Sequence, residues 1–63
     1  MKEIEVGDMV IIRFEFSENQ TFTYRGILNN ITDFNYVIDD IKIGEIILKK
    51  SKVLIISRYS NNE

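Results

Sequence analysis

The sequence predicts an all-β fold in which five short antiparallel strands form a small, strongly bent barrel. β-Branched and aromatic residues dominate the 63-residue chain, which has 12 Ile, only three Leu and no Ala. Apolar and polar residues alternate in short runs, as expected for strands with one buried face. Short polar segments separate these runs, and no repeat, linker or long helical pattern is present. We therefore expect a single domain over residues 1–63.

The first two strands are predicted to form a hairpin. Residues 10–16 and 21–28 both alternate, and the polar segment 17–20 joins them. In both runs the even-numbered residues share the apolar face. A glycine inside a strand marks a bulge, a bend or a close backbone approach, so the second strand is expected to curl at Gly26. A loop is expected to begin at Asn29.

The second half of the chain predicts three more strands. Residues 36–39, 45–49 and 53–57 are short apolar runs with strand-forming composition. A turn at residues 42–44 separates the first two runs, and the basic segment Lys50–Lys52 separates the last two. Outside the strands we expect a short N-terminal lead at residues 1–8 and a frayed, polar C-terminal tail at residues 58–63.

Several residue types needed for common chemistry are missing. The chain has no Cys and no His, which excludes disulfides, a thiol nucleophile, and the usual general base and metal ligand. Asp39 and Asp40 are adjacent in a strand and point to opposite faces, so they are expected to form a solvated strand end. We therefore expect no enzymatic activity, no metal and no cofactor. A chain this short buries only roughly 60% of its unfolded surface, which favours oligomerisation as a further source of burial.

Charge is distributed unevenly along the chain. Residues 1–40 carry a net charge of −5 and residues 41–63 a net charge of +3, with the densest positive charge at Lys49, Lys50 and Lys52. The overall charge of −2 argues against a protein that coats nucleic acid by bulk electrostatics. No apolar segment has the length of a membrane span or the pattern of a signal peptide. A soluble, cytoplasmic protein that does not bind membranes is expected.

Two segments carry a more specific signal. After Gly26, residues 33–40 present an Asp, an aromatic residue, an Asn and an apolar strand that ends in two acids. Residues 48–56 present an apolar residue, a basic cluster with Ser51, and a second apolar strand. The strand pattern alone fits either an SH3-like or an Sm-like barrel. The two segments resemble the first and second motifs of the Sm/LSm family, to which the bacterial Hfq proteins also belong.

This resemblance implies a homo-oligomeric ring of six or seven subunits, in which the fourth strand of one subunit pairs with the fifth strand of its neighbour. It also implies that both motif loops face the central pore and bind single-stranded RNA that is rich in U or A. The RNA-binding residues that it implies are Asp33, Phe34, Asn35, Tyr36, Lys49, Lys50, Ser51 and Lys52. The subunit-interface residues that it implies are Ile46, Ile47, Leu48, Leu54, Ile55 and Ile56.

Each of these residues also has a structural interpretation. Phe34 and Tyr36 fit a barrel core, Asp33 and Asn35 fit a turn, and the lysine cluster fits a solvated hairpin turn. Either Asn35 or Tyr36 corresponds to the Asn of the first motif. Two functional alternatives accordingly stay open: an SH3-like module that binds protein, and a structural Sm-fold assembly that binds no RNA.

Overall fold

The computed structural model describes residues 4–59 and contains five strands with one short 3₁₀ helix. The strands are β1 (Met9–Ser17), β2 (Gln20–Ile31), β3 (Asn35–Asp40), β4 (Gly44–Lys49) and β5 (Val53–Arg58), and the 3₁₀ helix η1 (Lys50–Lys52) joins β4 to β5. They form one antiparallel sheet with the order β4-β3-β2-β1-β5. The predictions of an all-β fold and of five strands are therefore confirmed. No helix within residues 4–59 is long and apolar enough to cross a membrane.

Strand β2 is longer than predicted because it pairs with two neighbours in succession. Its first part pairs with β1, and from Gly26 onward it also pairs with β3. The loop expected at Asn29 is wrong, since Asn29 and Asn30 lie inside β2. The register with β3 shifts between Leu28 and Asn30, which leaves Asn29 as the extra residue of a bulge. Pairing with β3 resumes at Asn30 and continues to Ile31. The contacts with β3 keep this segment in a strand although Asn29 and Asn30 are polar.

Gly26 lies where β3 passes closest to β2. It is buried and pairs with Asp40. A Cβ atom at this position would lie 2.7 Å from the carbonyl carbon of Asp39 and 2.9 Å from the Cα of Asp40. Both neighbours are backbone atoms, so the missing side chain allows the two strands to approach.

The core lies on the inner face of the sheet, and each of the first four strands contributes to it. Its buried members are Val10, Ile12, Leu28, Ile38 and Leu48. Partly buried residues pack around them, namely Ile4, Phe14, Tyr24, Tyr36, Ile46, Val53 and Ile56. The predicted alternation of the first hairpin is confirmed near the core and fails at the hairpin tip. Phe16 and Phe22 are 59% and 44% exposed, because the tip extends beyond the residues that pair with β3 and β5.

A tight turn connects β3 to β4. The carboxylate of Asp40 accepts hydrogen bonds from the backbone N–H groups of Lys42, at 2.8 Å, and Ile43, at 3.2 Å. Gly44 completes the turn with φ of 89°, a conformation that a residue with a side chain rarely adopts. The expectation that Asp40 is solvated is therefore wrong: it is only 8% exposed, because its carboxylate pairs with the turn backbone. Asp39 is exposed, as expected.

The ends of the described segment are more ordered than predicted. Arg58 belongs to β5 and lies opposite Val10, and the Tyr59 N–H donates to the Met9 carbonyl at 2.7 Å. The Arg58 guanidinium also contacts the Asp8 carboxylate, with an Nη2–Oδ2 distance of 2.8 Å. The predicted tail begins at residue 58. Its fraying is wrong for Arg58 and Tyr59, since both continue the pairing with the start of β1. Residues 1–3 of the predicted lead and residues 60–63 of the predicted tail lie outside the described residues.

Strands β4 and β5 are the two ends of the sheet. Among the described residues β4 pairs only with β3, and β5 pairs only with β1. The sheet of a single chain is therefore not closed, and a closed barrel stays a prediction.

Candidate nucleic-acid interface

The two motif loops identified in the sequence meet in the folded chain. β3 begins at Asn35 and β4 ends at Lys49, and these two residues are partners in the antiparallel ladder. Beyond this pair, the backbone N–H of Lys50 donates a hydrogen bond to the carbonyl of Phe34 at 2.8 Å. The β2–β3 loop and η1 are consequently held side by side, although Phe34 and Lys50 are 16 positions apart in the sequence.

Thr32 determines the shape of the β2–β3 loop. Its backbone N–H donates to the carbonyl of Asn35 at 2.9 Å, and its hydroxyl oxygen accepts a hydrogen bond from the Asn35 N–H at 3.0 Å. These two bonds close the turn, so the turn-forming side chain is Thr32 rather than Asp33 or Asn35. Sequence reasoning missed Thr32, although a threonine at the start of a short loop is a recognisable signal for such turns. The turn leaves Phe34 projecting into solvent with 77% of its surface exposed, so this ring is not part of the core.

An open cleft of about 640 Å³ lies between the two loops. Its lining residues are Asp33, Phe34, Asn35, Lys49, Lys50 and Ser51. Six of the eight predicted RNA-binding residues are thus brought together at one place.

The remaining two predicted residues lie outside the lining. Tyr36 is half-buried and packs against the core, because it pairs with the buried Leu48 and alternates with the buried Ile38 on the inner face of β3. The Lys50 ammonium lies 5.3 Å from the centre of the Tyr36 ring, a cation–π contact that orients this side chain. Lys52 is exposed on η1 but does not line the cleft. Asn35, and not Tyr36, contributes to the cleft surface.

The cleft combines an exposed aromatic ring, an amide, a hydroxyl, one carboxylate and two ammonium groups. Within residues 4–59 none of the charged groups of the cleft forms a salt bridge, since the ion pair present there joins Arg58 to Asp8. A ring of this kind can stack on a nucleobase, an amide can donate to and accept from a base edge, and ammonium groups attract phosphates. The described residues contain no cluster of three or more acidic side chains able to hold a metal ion.

The predicted interface residues divide between the core and the surface. On β4, Leu48 is buried and Ile46 packs against the core, whereas Ile47 is 66% exposed. On β5, Ile56 packs against the core, whereas Leu54 and Ile55 are 51% and 56% exposed. The β1–β5 register shifts between Arg13 and Phe14, so β5 departs from strict alternation and two consecutive side chains lie outside.

No protein-family model, curated protein or solved structure significantly matches this chain. Its function is therefore inferred from its own residues and geometry.

Proposed function

We propose that this chain is a non-enzymatic, cytoplasmic Sm-like protein that forms a homo-oligomeric ring of six or seven subunits and binds U- or A-rich single-stranded RNA. The observation that carries the proposal is the convergence of the two motif loops in one cleft. The hydrogen bond between Lys50 and Phe34 holds the loops together, so the stacking ring and the cations lie within reach of one nucleotide.

In the proposed complex Phe34 is the stacking platform. Its ring is the most exposed of the large apolar side chains, at 77%, and nothing in the packing of the described residues requires an aromatic residue there. Base–aromatic stacking contributes about 1–3 kcal/mol per base. Asn35 lies beside the ring, and its amide would read a base edge.

Lys49 and Lys50 supply the phosphate attraction. The protein is acidic over residues 1–40, with a net charge of −5, whereas this cleft has two lysines and one carboxylate, so its own charge attracts an RNA backbone. Each subunit makes few contacts, but repetition of the cleft around a ring would raise the overall affinity through effective concentration.

The two open edges of the sheet support the ring. Among the described strands, β4 and β5 each have a neighbour on one side only, and Ile47, Leu54 and Ile55 expose apolar surface on these edge strands. Such edges invite pairing with another chain. Pairing of β4 with β5 of a neighbour would cover these side chains and close each barrel between subunits. A monomer in light scattering at micromolar concentration would contradict the ring.

Fluorescence anisotropy with labelled oligo-U and oligo-A tests the RNA site. Phe34→Ala should weaken binding by about fivefold or more, because the stacking energy is lost. Lys49→Ala should reduce the salt dependence, lowering the slope of log affinity against log salt by about 1 for each subunit engaged.

Matched controls separate the cleft from general surface effects. Phe16→Ala removes another exposed ring, and Arg13→Ala removes another exposed cation, both outside the cleft. Both controls should bind RNA as the wild type does. Unchanged binding by Phe34→Ala, or equal losses in Phe34→Ala and Phe16→Ala, would refute this RNA site.

The exposed hairpin tip favours an alternative function, an SH3-like module that binds protein. The rings of Phe16 and Phe22 contact each other edge to face at 5.4 Å and leave an aromatic surface on β1 and β2. An apolar protein contact would change little with added salt, whereas RNA binding through lysines should weaken steeply. An assembly of ring mass that binds neither oligonucleotide would instead indicate a structural role.

A further inference from the structure

A second, smaller cleft lies between β2 and the β3–β4 turn. It has a volume of about 200 Å³, and its lining residues include Thr23, Tyr24, Arg25 and the turn residues Ile41, Lys42 and Ile43. None of these residues lines the first cleft or belongs to the open edge strands β4 and β5. Its walls are held together, since the Ile41 N–H donates to the Arg25 carbonyl at 3.0 Å.

The charges of this cleft favour an anion. Arg25 and Lys42 are both exposed, and neither forms a salt bridge within residues 4–59. The cleft contains one carboxylate, that of Asp40, and it points at the backbone N–H groups of Lys42 and Ile43. Two cations and one carboxylate therefore line this cleft, and among the described residues neither cation is paired with a carboxylate.

The apolar walls favour a ligand with an apolar part. Ile41 and Ile43 are 63% and 64% exposed in a turn, where Gly, Asn, Asp and Ser are the usual residues. The turn itself depends on the Asp40 carboxylate and on the positive φ of Gly44, so its conformation does not require either isoleucine. Tyr24 also lines the cleft, but its ring packs on the core face of β2 against Phe14, so the two isoleucines provide the exposed apolar surface.

We propose that this second cleft binds a phosphate monoester with a small apolar body. A phosphate monoester carries a charge of about −1.5 to −2 at neutral pH, which matches the two cations, and the arginine fork suits its oxygens. Ile41 and Ile43 contact the apolar body, and the Thr23 hydroxyl, on the same face of β2 as Arg25, donates to a further oxygen. The cleft is below the roughly 300–1,000 Å³ of sites for drug-sized ligands, so the body is small.

NMR titration of the full ¹⁵N-labelled chain with phenyl phosphate, inorganic phosphate and phenol tests the proposal. Phenyl phosphate should cause saturable shifts at Arg25 and at residues 40–44. It should bind roughly tenfold more tightly than inorganic phosphate, because the ring is removed from water. Phenol should bind more weakly than either anion. Absence of saturable shifts, or shifts centred on residues 33–35 and 49–51, would overturn the proposal.

Charge variants give a second readout. Arg25→Gln should weaken phenyl phosphate binding roughly tenfold, because one charge-assisted contact to the dianion is lost. Arg13→Gln removes an exposed arginine of β1 that lines neither cleft, and it should change affinity less than about twofold. Equal losses in the two variants would overturn the proposal by showing attraction to overall charge. The result is independent of RNA binding, which is measured at the other cleft.

Discussion

Replacement of Gly26 by alanine is expected to destabilise the fold by about 3 kcal/mol or more. The added Cβ would lie 2.7 Å from the carbonyl carbon of Asp39 and 2.9 Å from the Cα of Asp40, well inside contact distance. These atoms belong to the β3 backbone and cannot rotate away, so the β2–β3 ladder must open around the new methyl group. This places the cost at or above the upper end of the roughly 1–3 kcal/mol that is typical of overpacking. A domain of this length has a total stability of about 3–9 kcal/mol, so the variant should lose between roughly a third and all of it.

Urea unfolding followed by circular dichroism measures this loss, at one fixed protein concentration because assembly changes apparent stability. Gly7→Ala is the matched control. Gly7 also has no side chain, but among residues 4–59, its two chain neighbours aside, no atom lies within 4 Å of the position its Cβ would take. The expected cost is about 1 kcal/mol, from its φ of 101°. A loss below about 1 kcal/mol for Gly26→Ala, or equal losses in both variants, would refute the close-approach explanation.

Three further predictions concern the edge, the turn and the ion pair. Ile47→Lys should convert the proposed ring to a folded monomer in native mass spectrometry, because a charge replaces exposed apolar surface on β4. Val6→Lys, off both edges, should leave the wild-type mass unchanged, and an intact ring in Ile47→Lys would contradict the edge pairing. Asp40→Ala should lower the free energy of unfolding by about 1.5–3 kcal/mol, because two turn N–H groups lose a charged acceptor. Asp40→Asn should recover part of the loss. Wild-type stability of Asp40→Ala would contradict the role of this carboxylate in the turn. Arg58→Gln should lower the free energy of unfolding, measured in urea, by less than about 1 kcal/mol, since the ion pair between Arg58 and Asp8 is partly exposed. A loss above about 2 kcal/mol would contradict this small contribution of the ion pair.

The strands were predictable because local composition and alternation carry most of the signal. The first two strands occur where apolar and polar residues alternate, and the last three occur at short apolar runs; most of the strand bounds differ from the predicted ones by one residue. The exception is the end of β2, where Asn29 and Asn30 are residues typical of a loop but belong to the strand. The tertiary pairing with β3 overrides their weak strand propensity, since the bulge at Asn29 keeps Ile31 in register with Tyr36.

The sequence predicted most of the residues that line the candidate cleft, but it did not predict which of the two aromatic rings would be exposed. Phe34 and Tyr36 are two residues apart and equally aromatic, yet one is 77% exposed and the other packs against the core. The difference arises because Phe34 belongs to the turn that Thr32 closes, whereas Tyr36 is inside β3 and lies opposite Leu48. The second cleft had no signal in the sequence, because Arg25 and Lys42 become neighbours only when the β3–β4 turn contacts β2.

By itself the sequence determined that this chain forms five short strands, contains no Cys and no His, and concentrates its positive charge between the last two strands. These properties depend on residue type and on spacing within a few positions. Only the tertiary structure decided which apolar residues are covered, which edges stay open, and which distant side chains share a cleft. The physical reason is that burial depends on what neighbouring strands cover. Phe16 and Phe22 follow the core alternation and are still exposed, because no other strand reaches the hairpin tip.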